Sequence, residues 1–117
     1  PLTIFIAEIM FANNIADYDE DQANDRHTLV HYIGIKNAKK IYVFWAILAF
    51  VEIILVTLVG WLPTTSYTLL ILLPIIIKNA RAFVNHPVKK ETFILAIKNL
   101  VVVFMGMLVT LLVGILL

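Results

Sequence analysis

The chain is expected to fold as an all-α integral membrane protein, and three observations carry that expectation. Of its 117 residues, 62% are hydrophobic and only 15% charged, against about 45–50% and about 25% in ordinary soluble domains, and the mean hydropathy is +0.95. Two apolar blocks, residues 41–62 and 92–117, each reach the roughly 20 residues that cross a bilayer. The basic residues gather in two polar stretches and leave the turn at Pro63 without any. The same composition excludes a disordered chain. Without cysteine there is no disulfide framework, thiolate metal site or cysteine nucleophile, and a net charge of +1 points to no nucleic-acid partner.

The first apolar block, residues 1–16, opens on Pro1 already inside an apolar run and lacks the basic start and cleavage site of a signal peptide. It is too short for a full span, so the chain is read as a fragment with upstream residues to be expected. Residues 17–40 follow as an aspartate-rich loop, and residues 41–62 as a complete span. The stretch Pro63-Thr64-Thr65-Ser66 suits a tight antiparallel turn at the membrane surface. The third block, residues 67–77 with an extension to 84, contains Pro74, which removes a backbone donor and is expected to kink the helix; its Lys78 and Arg81 would snorkel. Residues 92–117 form the last span.

Arg26, Lys36, Lys39 and Lys40 lie in the first polar stretch, and Lys78, Arg81, Lys89 and Lys90 in the second. Under the positive-inside rule both stretches are cytoplasmic and the Pro63 turn is outside. Lys98 alone lies apart, placed to reach the interface or Glu91.

Chemistry concentrates in residues 13–22, Asn-Asn-Ile-Ala-Asp-Tyr-Asp-Glu-Asp-Gln. On a continuing helix Asn13, Asp17 and Asp21 fall at i, i+4 and i+8 and share one face. Like charges so placed repel by a few tenths of a kcal/mol per exposed pair, a cost that a divalent cation between them removes. Mg²⁺ suits such a pair, because it takes one or two carboxylates, keeps several waters and accepts phosphate oxygens. A calcium loop of the EF-hand kind fails, since Gln22 replaces its glycine and Thr28 its closing glutamate. From composition alone, a solvated acidic loop is an equal reading.

The segment from Asn13 to Asp21, followed by Arg26-His27-Thr28-Leu29 and Ile33-Gly34, resembles the second aspartate-rich motif of the UbiA superfamily of intramembrane prenyltransferases. The likeness is greatest to the menaquinone branch, 1,4-dihydroxy-2-naphthoate prenyltransferase-like, with its Asn-Asn-x-Arg-Asp-x-x-x-Asp pattern. The resemblance implies the C-terminal transmembrane helices of a UbiA-type bundle in a bacterial cell membrane. It further implies that Asp17 and Asp21 hold Mg²⁺ on a polyprenyl diphosphate, with Asn13, Asn14 and Arg26 binding the diphosphate, and that an aromatic acceptor, dihydroxynaphthoate, takes the prenyl group. The implied reaction breaks the allylic carbon–oxygen bond and lets the carbocation attack an electron-rich ring, in a site closed to water. The chain departs from the branch at Ala16, where it has arginine, at Asp25, where it has glycine, and at His27 and Tyr32, at often basic positions. Those differences bear on substrate preference more than on reaction type. The superfamily's other aspartate-rich motif is absent, which implies that the chain alone is inactive.

Other residues have plainer readings beside functional ones. His27 and His31 stand at i, i+4 but lack the glutamate and third ligand of a zinc site, so an interfacial pair is favoured. Glu8 lies about 180° from Asp17 around the helix and is assigned to helix contact; Glu52 is a candidate for pairing or protonation. Tyr42, Phe44, Trp45, Trp61 and Tyr67 read as an interfacial belt, and Lys36, Lys39 and Lys40 as anchors at anionic headgroups. Residues 85–87 with Lys89 and Lys90 carry no role beyond topology. Glu8, Glu52 and Lys98 within apolar blocks leave a small transporter or channel subunit as a rival reading, with a non-catalytic assembly protein as another.

Overall fold

A computed structural model describes residues 1–117. It contains helices and no strand: α1 (Leu2–Ala16), α2 (Tyr18–Ala23), α3 (Leu29–Ile33), α4 (Ile35–Leu58), a 3-10 segment (Thr64–Leu72), α5 (Leu73–Asn85) and α6 (Phe93–Leu116). Three stretches, Ile35–Leu58, Thr64–Asn85 and Phe93–Leu116, are long and apolar enough to cross a membrane, and α1 is a shorter apolar helix. The all-helical membrane architecture is therefore as expected. Helix α1 packs against α4 and α6, and α5 packs against the same two, so the four helices close a ring. The molecule measures 55 × 26 × 19 Å. Its long axis exceeds the roughly 30 Å hydrocarbon layer, so the ends of the bundle stand outside it.

Small residues let these helices approach closely, as packing within lipid requires. Along α4, Ala38, Tyr42, Ala46, Ala49 and Ile53 are buried against Phe5, Phe11 and Ala12 of α1 and Ala80 and Phe83 of α5 in one core. Phe5 meets Phe50 edge-on at 6.3 Å and Phe11 tilts on Trp45 at 5.2 Å. Between α5 and α6, Asn79 donates to Asn99 Oδ1 at 2.8 Å and Asn99 donates to the Ile76 carbonyl at 3.1 Å. On α6, Gly106, Thr110 and Gly114 share a face that meets the 3-10 segment. A Cβ on Gly106 would come within 2.8 Å of Leu69 Cδ2, and one on Gly114 within 2.5 Å of Pro63 Cβ; Thr65 Oγ1 donates to the Thr110 carbonyl between them at 2.7 Å.

Three details differ from the sequence expectation. Helix α4 starts at Ile35, not 41, because Gly34 takes φ 85° and turns α3 directly into it, which winds Lys36, Lys39 and Lys40 into its first turns; much of residues 17–40 is thus helical. Pro74 does not fall in the interior of an α-helix. It sits in the first turn of α5, where its missing N–H would have had no helical partner, and the residues before it form the 3-10 segment. Finally, of the two places open to Lys98, Glu91 is taken, since it accepts from His86 at 2.9 Å.

Candidate functional site

The acidic stretch follows α1 with scarcely a break. Asp17 ends the helix at φ −91° and ψ 7°, yet the i to i+4 ladder runs on: Asp17 N–H donates to the Asn13 carbonyl at 2.9 Å and Asp21 N–H to the Asp17 carbonyl at 2.8 Å. Asn13, Asp17 and Asp21 therefore keep one face. After α2 the chain reverses at Asp25, which adopts φ 55°, and Arg26 N–H donates back to the Asp21 carbonyl at 2.7 Å. That left-handed turn brings Arg26, His27 and Thr28 round to the aspartates.

Helix α3 locks the turn. Thr28 N–H donates to His31 Nδ1 at 3.1 Å, so that nitrogen is the acceptor and Nε2 carries the proton it donates to the Tyr18 carbonyl, 3.1 Å away. The His31 ring stacks on Tyr18 at 4.5 Å. Nδ1 thus caps α3 at Thr28 and Nε2 ties α3 to α2 at Tyr18, which leaves neither nitrogen for zinc.

The result is a polar pocket of about 270 Å³ with no hydrophobic lining residue. All five residues singled out in the sequence, Asn13, Asn14, Asp17, Asp21 and Arg26, line it, joined by His27 and Thr28. Asn13 Nδ2 donates to Asp17 Oδ2 at 3.2 Å. The two asparagines also face a second cavity, of about 300 Å³, whose other walls are Ile9, Met10 and Phe93. Charged and apolar chambers thus adjoin across Asn13 and Asn14. Glu8 is buried in α1 with Oε1 unpartnered and does not line the pocket. Glu8, Glu52 and Lys98 form no ion pair with one another.

Sequence reasoning gave Lys89 no role beyond topology. Its Nζ donates to Asp17 Oδ2 at 2.8 Å across 72 positions of chain. The hydrogen bond to Asp17 raises the Lys89 pKa above the ordinary lysine value; desolvation opposes it, and the charges of Asp17, Glu20 and Asp21 add to the rise, which prevails. The turn that carries it is braced by the His86–Glu91 pair and by Thr92 Oγ1, which donates to the His86 carbonyl and accepts from Val88 N–H. A contact so distant in sequence leaves no local signal.

No group of three or more His, Asp or Glu side chains converges here as a self-contained metal cage requires. Two carboxylates among amide oxygens do fit a hard cation that keeps water and shares phosphate oxygens, and the adjacent Arg26 supplies the fork that matches a phosphate. A family model described as the UbiA prenyltransferase family matches residues 1–108. No curated protein and no solved structure matches the chain.

Proposed function

Because the chain belongs to the UbiA prenyltransferase family, we propose that it takes part in Mg²⁺-dependent transfer of a polyprenyl group from its diphosphate to 1,4-dihydroxy-2-naphthoate, in menaquinone synthesis at a bacterial cell membrane. The observation that carries this reading is the pocket in which Asn13, Asn14, Asp17, Asp21 and Arg26 meet. Asp17 and Asp21 would hold the metal. Mg²⁺ bound there supplies positive charge that offsets the negative charge developing on the departing diphosphate. Arg26 pairs with phosphate oxygens, while the Asn13 and Asn14 amides orient them. The apolar chamber of Ile9, Met10 and Phe93 takes the first isoprene units, so the bond to be broken lies where the two chambers meet. His31 and Thr28 keep the pocket's outer wall in place, and Lys89 ties the α5–α6 turn to its acidic edge.

The test is turnover by the full-length protein in lipid nanodiscs. Asp17→Asn and Asp21→Asn are each expected to lower Mg²⁺-dependent transfer roughly 100-fold or more while membrane insertion is unchanged; full turnover in both contradicts the reading. Dihydroxynaphthoate is expected to be prenylated in preference to 4-hydroxybenzoate, and the reverse preference would move the chain to another branch.

A further inference from the structure

A groove between α4 and α5 forms a second site of a different kind, and it does not rest on the reading above. It encloses about 530 Å³. Its lining is mixed: Lys39, Lys40, Val43, Phe44 and Ile47 from α4 face Arg81, Val84 and Asn85 from α5, so three cations border an apolar strip. The N-terminus of α4 and the C-terminus of α5 lie at the same end of the bundle as the acidic pocket, because the 63–66 turn reverses the chain between them. No carboxylate lines the groove, and none of its three cations is in an ion pair.

Three like charges around one opening repel each other until an anion joins them. An apolar groove at membrane depth fills with hydrocarbon. A free phosphate would satisfy the cations alone and a neutral lipid the apolar strip alone; a molecule that satisfies both carries a phosphate and a hydrocarbon chain, and the exposure of Phe44 and Ile47 on the bundle surface favours a bilayer lipid over the prenyl donor. We propose that this groove binds an anionic phospholipid, with its phosphate held by Lys39, Lys40 and Arg81 and one acyl chain lying along Val43, Phe44 and Ile47. Arg81 offers a fork to two phosphate oxygens, and the lysines act as point charges on either side. The site differs from general headgroup anchoring in that it is saturable and selective.

Native mass spectrometry of the full-length protein, titrated with dioleoyl phosphatidylglycerol in neutral detergent, reads the site directly. One lipid is expected to bind saturably and more tightly than dioleoyl phosphatidylcholine. Arg81→Gln is expected to weaken binding about fivefold, and the combined K39Q, K40Q and R81Q change about 100-fold. Ile47→Trp, which fills the groove and leaves the charges in place, weakens it as well. Equal binding of the two lipids, or no change on Arg81→Gln, overturns the proposal. Displacement of the lipid by inorganic phosphate makes this a site for free anions, and displacement by farnesyl diphosphate gives it to the prenyl donor; either outcome overturns it too.

Discussion

Asp25 is the residue on which the shape of the acidic pocket turns. It holds φ 55°, a conformation that costs a residue with a Cβ about 1–2 kcal/mol and glycine almost nothing, and it stands where the related motif carries glycine. The strain is therefore removable: Asp25→Gly is expected to stabilise the fold by about 1 kcal/mol, read as a rise in thermal midpoint, and a fall would mean that the Asp25 carboxylate is needed there. Lys89 shows the same economy at longer range, since one ammonium fixes the α5–α6 turn to Asp17. Its pKa is raised by that contact, so the stabilisation is complete below the ordinary lysine pKa and is lost as pH rises through the elevated folded value. Amide protection in residues 86–92, measured against the intrinsic exchange rate at each pH, is expected to hold at neutral pH and to fall in that alkaline range, whereas Lys89→Met lowers it at neutral pH. Fast exchange in the unaltered protein at neutral pH would show that the contact does not hold the turn.

At the scale of elements, the apolar blocks were legible because lipid-facing helices must be apolar over a fixed length, and composition alone records that. Their ends were harder to read. The start of α4 depends on a positive φ at Gly34, and lysine is as good a helix former as a loop residue, so Lys36, Lys39 and Lys40 gave no sign of which they were. Pro74 misled for a related reason: proline breaks a helix interior but suits a first turn, and only the 3-10 segment ahead of it decides which applies. The α6 face of Gly106, Thr110 and Gly114 separates two kinds of close approach. Leu69 and Leu72 present flexible tips to Gly106, but Pro63 presents a rigid ring to Gly114. Gly114→Ala is accordingly expected to cost about 1–3 kcal/mol and Gly106→Ala less, measured by unfolding in detergent. The opposite order would mean that the 3-10 segment yields more easily than the leucine side chains.

For the whole molecule, the ring of four helices serves to bring the end of α1 and the turn before α6 to one membrane surface, so that Asp17 and Lys89 meet. That Asn13, Asn14, Asp17, Asp21 and Arg26 share one pocket was legible because they lie within 14 positions of one another, where helical spacing and a short motif suffice. Lys89, the Asn79–Asn99 clamp and the lipid groove were not, because each is made by segments that only the fold brings together. The central claim is that the acidic pocket binds a prenyl diphosphate through Asp17, Asp21 and Arg26. Equilibrium binding of an uncleavable prenyl thiolodiphosphate to the full-length protein, with and without Mg²⁺, tests it most directly. Binding is expected to require Mg²⁺, to fall at least about tenfold with Asp17→Ala, Asp21→Ala or Arg26→Ala, and to survive Arg81→Gln. Mg²⁺-independent binding that all three pocket variants retain would contradict the account.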